Sequence, residues 1–177
     1  MESHSTTPPQ RTELMPRAVL AKHFPRDCAE LPIRGGWGFT KEDAVVIDKN
    51  DPIVNPAMPF DGVGIEYLFV EKRIYEELII NLPAGEKFSG ITWDLITQGV
   101  VADGDRKFDH LEFEIRAFRD QDWEDLKAEW EGPNGCTSPN FDEEAHTKKR
   151  DSLQVCLRRE YWFDITSFFF EVSAASP

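Results

Sequence analysis

The sequence predicts an α+β fold, an antiparallel sheet of about four to six strands packed by a main helix at about 64–80 and a shorter helix at about 120–131. Three observations predict it. Residues 61–81 carry Ile65, Leu68, Phe69, Tyr75, Leu78 and Ile79 near helical spacing, with Glu66, Glu71, Lys72, Glu76 and Glu77 between them. Residues 91–101 and 111–117 instead alternate with period two on either side of Asp103-Gly104-Asp105. The chain has 177 residues, 40% hydrophobic and 12% aromatic, and a chain of that size hides roughly 70% of its unfolded surface without help from disulfides or metal. An all-β barrel or sandwich is the alternative, and it requires 64–80 to be strand. That stretch is long for a strand, because it contains no turn signal.

Taken in order, residues 1–30 read as an irregular N-terminal arm ahead of a single domain at 31–177. Residues 1–17 mix Ser, Thr, Pro and charge without periodicity, and Pro25 and Pro32 bracket an irregular link. Arg34-Gly35-Gly36-Trp37-Gly38-Phe39 predicts a tight loop that either presents Trp37 to a partner or buries it as a plug. Residues 44–48 form a short β-branched run closed by Asn50-Asp51-Pro52. Asp61 is placed to cap the main helix, with Asn81 and Pro83 to stop it.

In the hairpin that follows, Ile91, Trp93, Leu95, Thr97 and Val101 are expected on one face of the first strand. Leu111, Phe113, Ile115 and Ala117 are expected on one face of the second. Asp120-Gln121-Asp122 suit the positive end of a helix carrying Trp123, Leu126 and Trp130 on one face, which Gly132-Pro133 ends. Residues 132–152 read as a long exposed loop. Leu153, Val155 and Leu157 then alternate, and Tyr161 to Val172 has the composition of one or two further strands.

Charge and motifs exclude several functions. With 20 Lys and Arg against 33 Asp and Glu the net charge is −13, which argues against nucleic acid and anionic membrane as partners, since both are bound through cations. Residues 1–30 lack the apolar core of a secretory signal, no run approaches a membrane span, and three cysteines at wide spacing suit a reducing cytoplasm. Gly35-Gly36-Trp37-Gly38 has no phosphate-loop ending, and neither a Gly-x-Ser-x-Gly elbow nor a His-Glu-x-x-His pair occurs. Cys136, His146 and Cys156 are too widely spaced for structural zinc, while Asp103, Asp105 and Asp109 read as turn chemistry lacking a calcium loop's later glutamate. Neither metal nor cofactor is expected.

Two constellations remain. Residues 61–131 hold 8 Lys and Arg against 18 Asp and Glu, a net −10 of the total −13, and within 120–131 only Lys127 offsets the acids. The first expectation is therefore a non-catalytic cytoplasmic binding protein, inhibitor- or immunity-like, docking a basic protein through Asp120, Asp122, Glu124, Asp125 and Trp37. The alternative is a small-molecule-binding protein or hydrolase-type enzyme. Strand alternation puts His110, Glu112, Glu114 and Arg116 on one polar face, where a histidine able to move protons near neutral pH would stand among carboxylates, with Asp94 or Gln98 beside it. A structural or oligomeric subunit is the third expectation; the sequence leaves oligomeric state open.

Overall fold

In the computed structural model, which describes residues 15–169, the hairpin dominates. Strand β3 (Phe88–Asp103) turns at Gly104 into β4 (Arg106–Arg119), and Gly104 takes φ +57°, the left-handed region that a two-residue hairpin turn requires and glycine enters without strain. Before the hairpin come α1 (Pro16–His23), β1 (Ile33–Gly35), β2 (Val45–Ile47) and α2 (Gly62–Tyr75). After it come α3 (Asp120–Glu131), α4 (Glu143–Leu153) and β5 (Val155–Asp164). The five strands form one sheet in the order β1-β2-β5-β4-β3. The class is α+β, and the sheet is not closed into a barrel.

Three expectations are corrected. The sheet is mixed, because β2 runs parallel to β5, pairing Val45 with Phe163 and Val46 with Asp164. The long connection from β2 through two helices and the hairpin gives the chain room to return in the same direction. Residues 16–23, read as part of an irregular arm, are helical: Pro16 occupies the first turn, where its missing N–H costs nothing, and Leu20 is fully buried. Residues 143–153, read as loop, also form a helix. Asp142 caps it by accepting from Ala145 N–H at 2.9 Å, and His146 is its single buried residue, so there was no apolar stripe to betray it.

The segment read as a helix at 64–80 is α2 followed by a π-helical turn, Glu76–Ile80, in which Asn81 N–H reaches back to the Glu76 carbonyl at 2.9 Å. Asp61 accepts from Gly64 N–H at 2.8 Å, capping the helix as its residue type suggests. The wide turn lets successive glutamates both find cations: Glu76 takes Arg73 at 2.6 Å, and Glu77 pairs with Arg159 of β5.

Helix α2 packs on one face of the sheet. Phe69, Val70 and Ile74 meet Leu111, Phe113 and Ile115 of β4 and Tyr161 and Phe163 of β5 in a continuous core. Phe69 stands edge-on to Phe163 with centroids 5.6 Å apart. The opposite face is covered at one end only. There α3 folds back so that Trp123 stacks on Phe118 at 5.3 Å, and elsewhere the side chains of that face are half-exposed or exposed.

Strand β3 keeps its first expected face only in part. Trp93 and Leu95 pair with Ile115 and Phe113 and share the α2 side, but a register shift between Leu95 and Thr97 inserts one extra residue. Thr97 and Val101, paired with Glu112 and Phe108, therefore fall on the open side, and Gln98 and Val100 take the α2 side. A bulge reverses alternation in this way because the side-chain period is two.

Candidate functional site

The four residues of the catalytic alternative do share one face. Their β5 partners are Trp162 opposite His110, Glu160 opposite Glu112, Arg158 opposite Glu114 and Cys156 opposite Arg116. Together these residues make a ladder of ion pairs: Arg116 reaches Asp94 and Glu114 at 3.0 Å each, Arg158 reaches Glu112 at 3.3 Å, and His110 Nε2 lies 3.1 Å from Glu160. The His110 ring stacks on Trp162 with centroids 4.2 Å apart. Hydrogen bonding to Glu114, together with Asp94, pushes the Arg116 guanidinium further into its charged form. Of the two neighbours considered from sequence, Asp94 joins this face and Gln98 does not.

Two open hollows lie elsewhere. One, of about 460 Å³, is bordered by Met15, Arg17, Ala18 and Ile33. The other, of about 340 Å³, lies among Arg34, Val46, Arg106, Asp164 and Thr166. Neither is lined by the His110 group. Among the described residues no group of three or more His, Cys, Asp or Glu is placed to hold a metal ion, and no helix is long and apolar enough to cross a membrane.

The acidic candidates lie on α3. Asp120 accepts from Ser89 Oγ at 2.7 Å, and Asp125 accepts from Gln121 at 2.8 Å. Glu124 pairs with Lys127 at 2.8 Å, and Glu129 turns toward α4, where Lys149 and His146 meet it at 2.5 and 2.9 Å. Glu124, Asp125 and Glu131 are exposed, and Asp122 is half-buried. Trp37 is 8% exposed, and the Arg73 guanidinium lies 4.4 Å from its ring centroid. It occupies the plug position rather than the outer surface.

The remaining acids of residues 61–131 are divided between opposite sides of the molecule. Glu112 and Glu114 stand on the open face, whereas Glu66, Glu76 and Asp109 are buried on the α2 side. Glu66 Oε2 and Asp109 Oδ1 have no hydrogen-bond partner, and the other Asp109 oxygen accepts from Gln98 at 2.5 Å. Burial, reinforced by the Asp109 charge, pushes the Glu66 carboxyl up to about 8; burial also raises Asp109. At neutral pH Glu66 therefore keeps its proton. Sequence reasoning missed this pair, although the signals were present: Asp109 shares strand parity with Leu111 and Phe113, and Glu66 lies one helical turn before Phe69 and Val70.

A second feature that the sequence did not single out is the free edge of β3. Among the described residues this strand has only β4 beside it, and Asp94–Asp103 is exposed throughout. On its α2 side, Leu95 and Val100 are 38% and 52% exposed beside Val63 and Tyr67 of α2 at 49% and 37%. On its other side stand Asp94 and Asp103, held by Arg116 and by Lys41 at 2.6 Å.

No protein-family model matches the chain, and no curated protein or solved structure is detectably similar to it. The functional reading therefore rests on the geometry described above.

Proposed function

We propose that the protein is a non-catalytic binding protein of the cytoplasm, inhibitor- or immunity-like, that docks a basic protein partner. The observation that carries this reading is α3, where Glu124, Asp125 and Glu131 are exposed and Lys127 is the helix's one cation, already paired to Glu124. Exposed like charge concentrated on a rigid element speeds encounter with an oppositely charged surface and repels acidic competitors. The His110 face supports catalysis less well, because its charges are spent on one another across an open sheet and no hollow adjoins them.

Binding of the full chain to an array of peptides graded in net charge tests this reading. The signal is expected to rise with positive charge and to fall steeply as salt shortens the screening length from roughly 30 to 8 Å. The double variant Glu124→Lys, Asp125→Lys should weaken binding about tenfold, as the loss of roughly 1.4 kcal/mol implies. Binding indifferent to peptide charge, or unaffected by that variant, contradicts it.

A further inference from the structure

We infer that the partner is engaged as an added strand: an extended segment alternating basic and apolar residues pairs with the free edge of β3 over Thr97–Asp103. This rests on the basic-partner reading and specifies how and where such a partner is held.

Three independent features point to that edge. The first is backbone geometry. From Thr97 to Asp103 the pairing with Glu112–Arg106 runs without a register shift, so the outward N–H and C=O groups of this stretch form a regular template about seven residues long at ~3.3 Å per residue. The second is the absence of any guard. Edge strands are normally blunted by lysine, proline or a covering element, yet residues 88–103 contain no Lys, Arg or Pro. Among the described residues only β4 pairs with this strand.

The third feature is that the two sides of the edge differ in chemistry. The α2 side offers Leu95, Val100, Tyr67 and Val63, all more than a third exposed. The open side offers Asp94 and Asp103, with Glu112 and Glu114 behind them on β4. An added strand exposes alternate residues to the two sides, so apolar residues would lie along the first and basic residues along the second. Strand addition takes its affinity from main-chain hydrogen bonds and its selectivity from such alternation. The charges also argue against a second copy of this chain as occupant. A symmetric antiparallel pairing centred on the exposed stretch sets Asp94 of one copy against Asp103 of the other, and like charges directly opposite destabilise a sheet.

The test uses the full chain and three synthetic eight-residue peptides. One alternates lysine with valine, the second is the same peptide N-methylated at alternate backbone nitrogens, and the third replaces each lysine with glutamate. The first should bind at least tenfold tighter than the other two, shift the amide resonances of residues 94–103 and slow their hydrogen exchange. Val100→Lys, at an exposed position, should weaken that binding at least fivefold. If the N-methylated peptide binds as well as the parent, or the shifts fall elsewhere, strand addition is overturned while the basic-partner reading stands. If the glutamate peptide binds as well as the parent, the basic-partner reading fails. Concentration-dependent shifts of residues 94–103 without peptide would assign the edge to a second copy and overturn the inference, as would failure of the lysine peptide to bind.

Discussion

Glu66 shows how much a single buried residue can control. Its side chain is 1% exposed, and it holds its proton to about pH 8 instead of the usual 4.5. The unfolded chain loses that proton near 4.5, so over the window from 4.5 to 8 the unfolded state binds fewer protons than the native one and stability declines as pH rises, levelling above 8. Glu66→Gln keeps the shape and supplies a permanent amide donor to the buried cluster. It should stabilise the protein by a few kcal/mol at pH 8 and by much less at pH 5, shifting the melting temperature by several degrees at the higher pH only. Thermal denaturation of both proteins at the two pH values decides it; equal shifts at both would show that Glu66 is not the titrating group. The sequence was ambiguous at this residue for a physical reason. A glutamate among helical apolar positions reads as the solvent side unless one asks which turn it shares with Phe69 and Val70.

At the scale of elements, legibility followed periodicity. The hairpin and α3 were readable because alternation, turn residues and acidic first-turn residues agreed with one another. Helices α1 and α4 were not, because each buries a very small part of its surface: Pro16 and Leu20 in one, His146 in the other. Tertiary packing and caps, rather than an apolar stripe, make them helical. The bulge after Leu95 was equally invisible, and it moved Thr97 and Val101 to the opposite face. The junction of β3 and α3 carries a testable prediction. Gly90 has φ +58°, and a Cβ there would come within 2.7 Å of the Trp123 ring. Gly90→Ala should cost roughly 1–3 kcal/mol by backbone strain and by displacing Trp123, measured as a lower denaturation midpoint with changed tryptophan fluorescence. An unchanged midpoint would mean that α3 is not anchored on the sheet through this contact.

At the scale of the whole molecule, a net −13 proves to be several separate populations of acids. Glu66 and Asp109 sit inside, Glu76 and Glu77 are consumed by arginines of the α2 side, and Glu112 and Glu114 are balanced across the open face. What is left facing solvent lies mainly on α3 and along the edge of β3, which meet at Ser89 and Asp120. The sequence located the acids between 61 and 131 but could not say which side of the sheet each would take, since parity on a strand is settled by register and register by the bulge.

The central claim is that this acidic helix and the adjoining open edge together hold an extended basic segment. Titrating the isotopically labelled full chain with the lysine–valine peptide, while following backbone amides, tests it most directly. Shifts confined to residues 94–103 and the exposed turns of α3, weakening as salt is raised, are the result expected. Shifts centred on His110–Arg116 and Trp162, or the same response to the glutamate peptide, would contradict it.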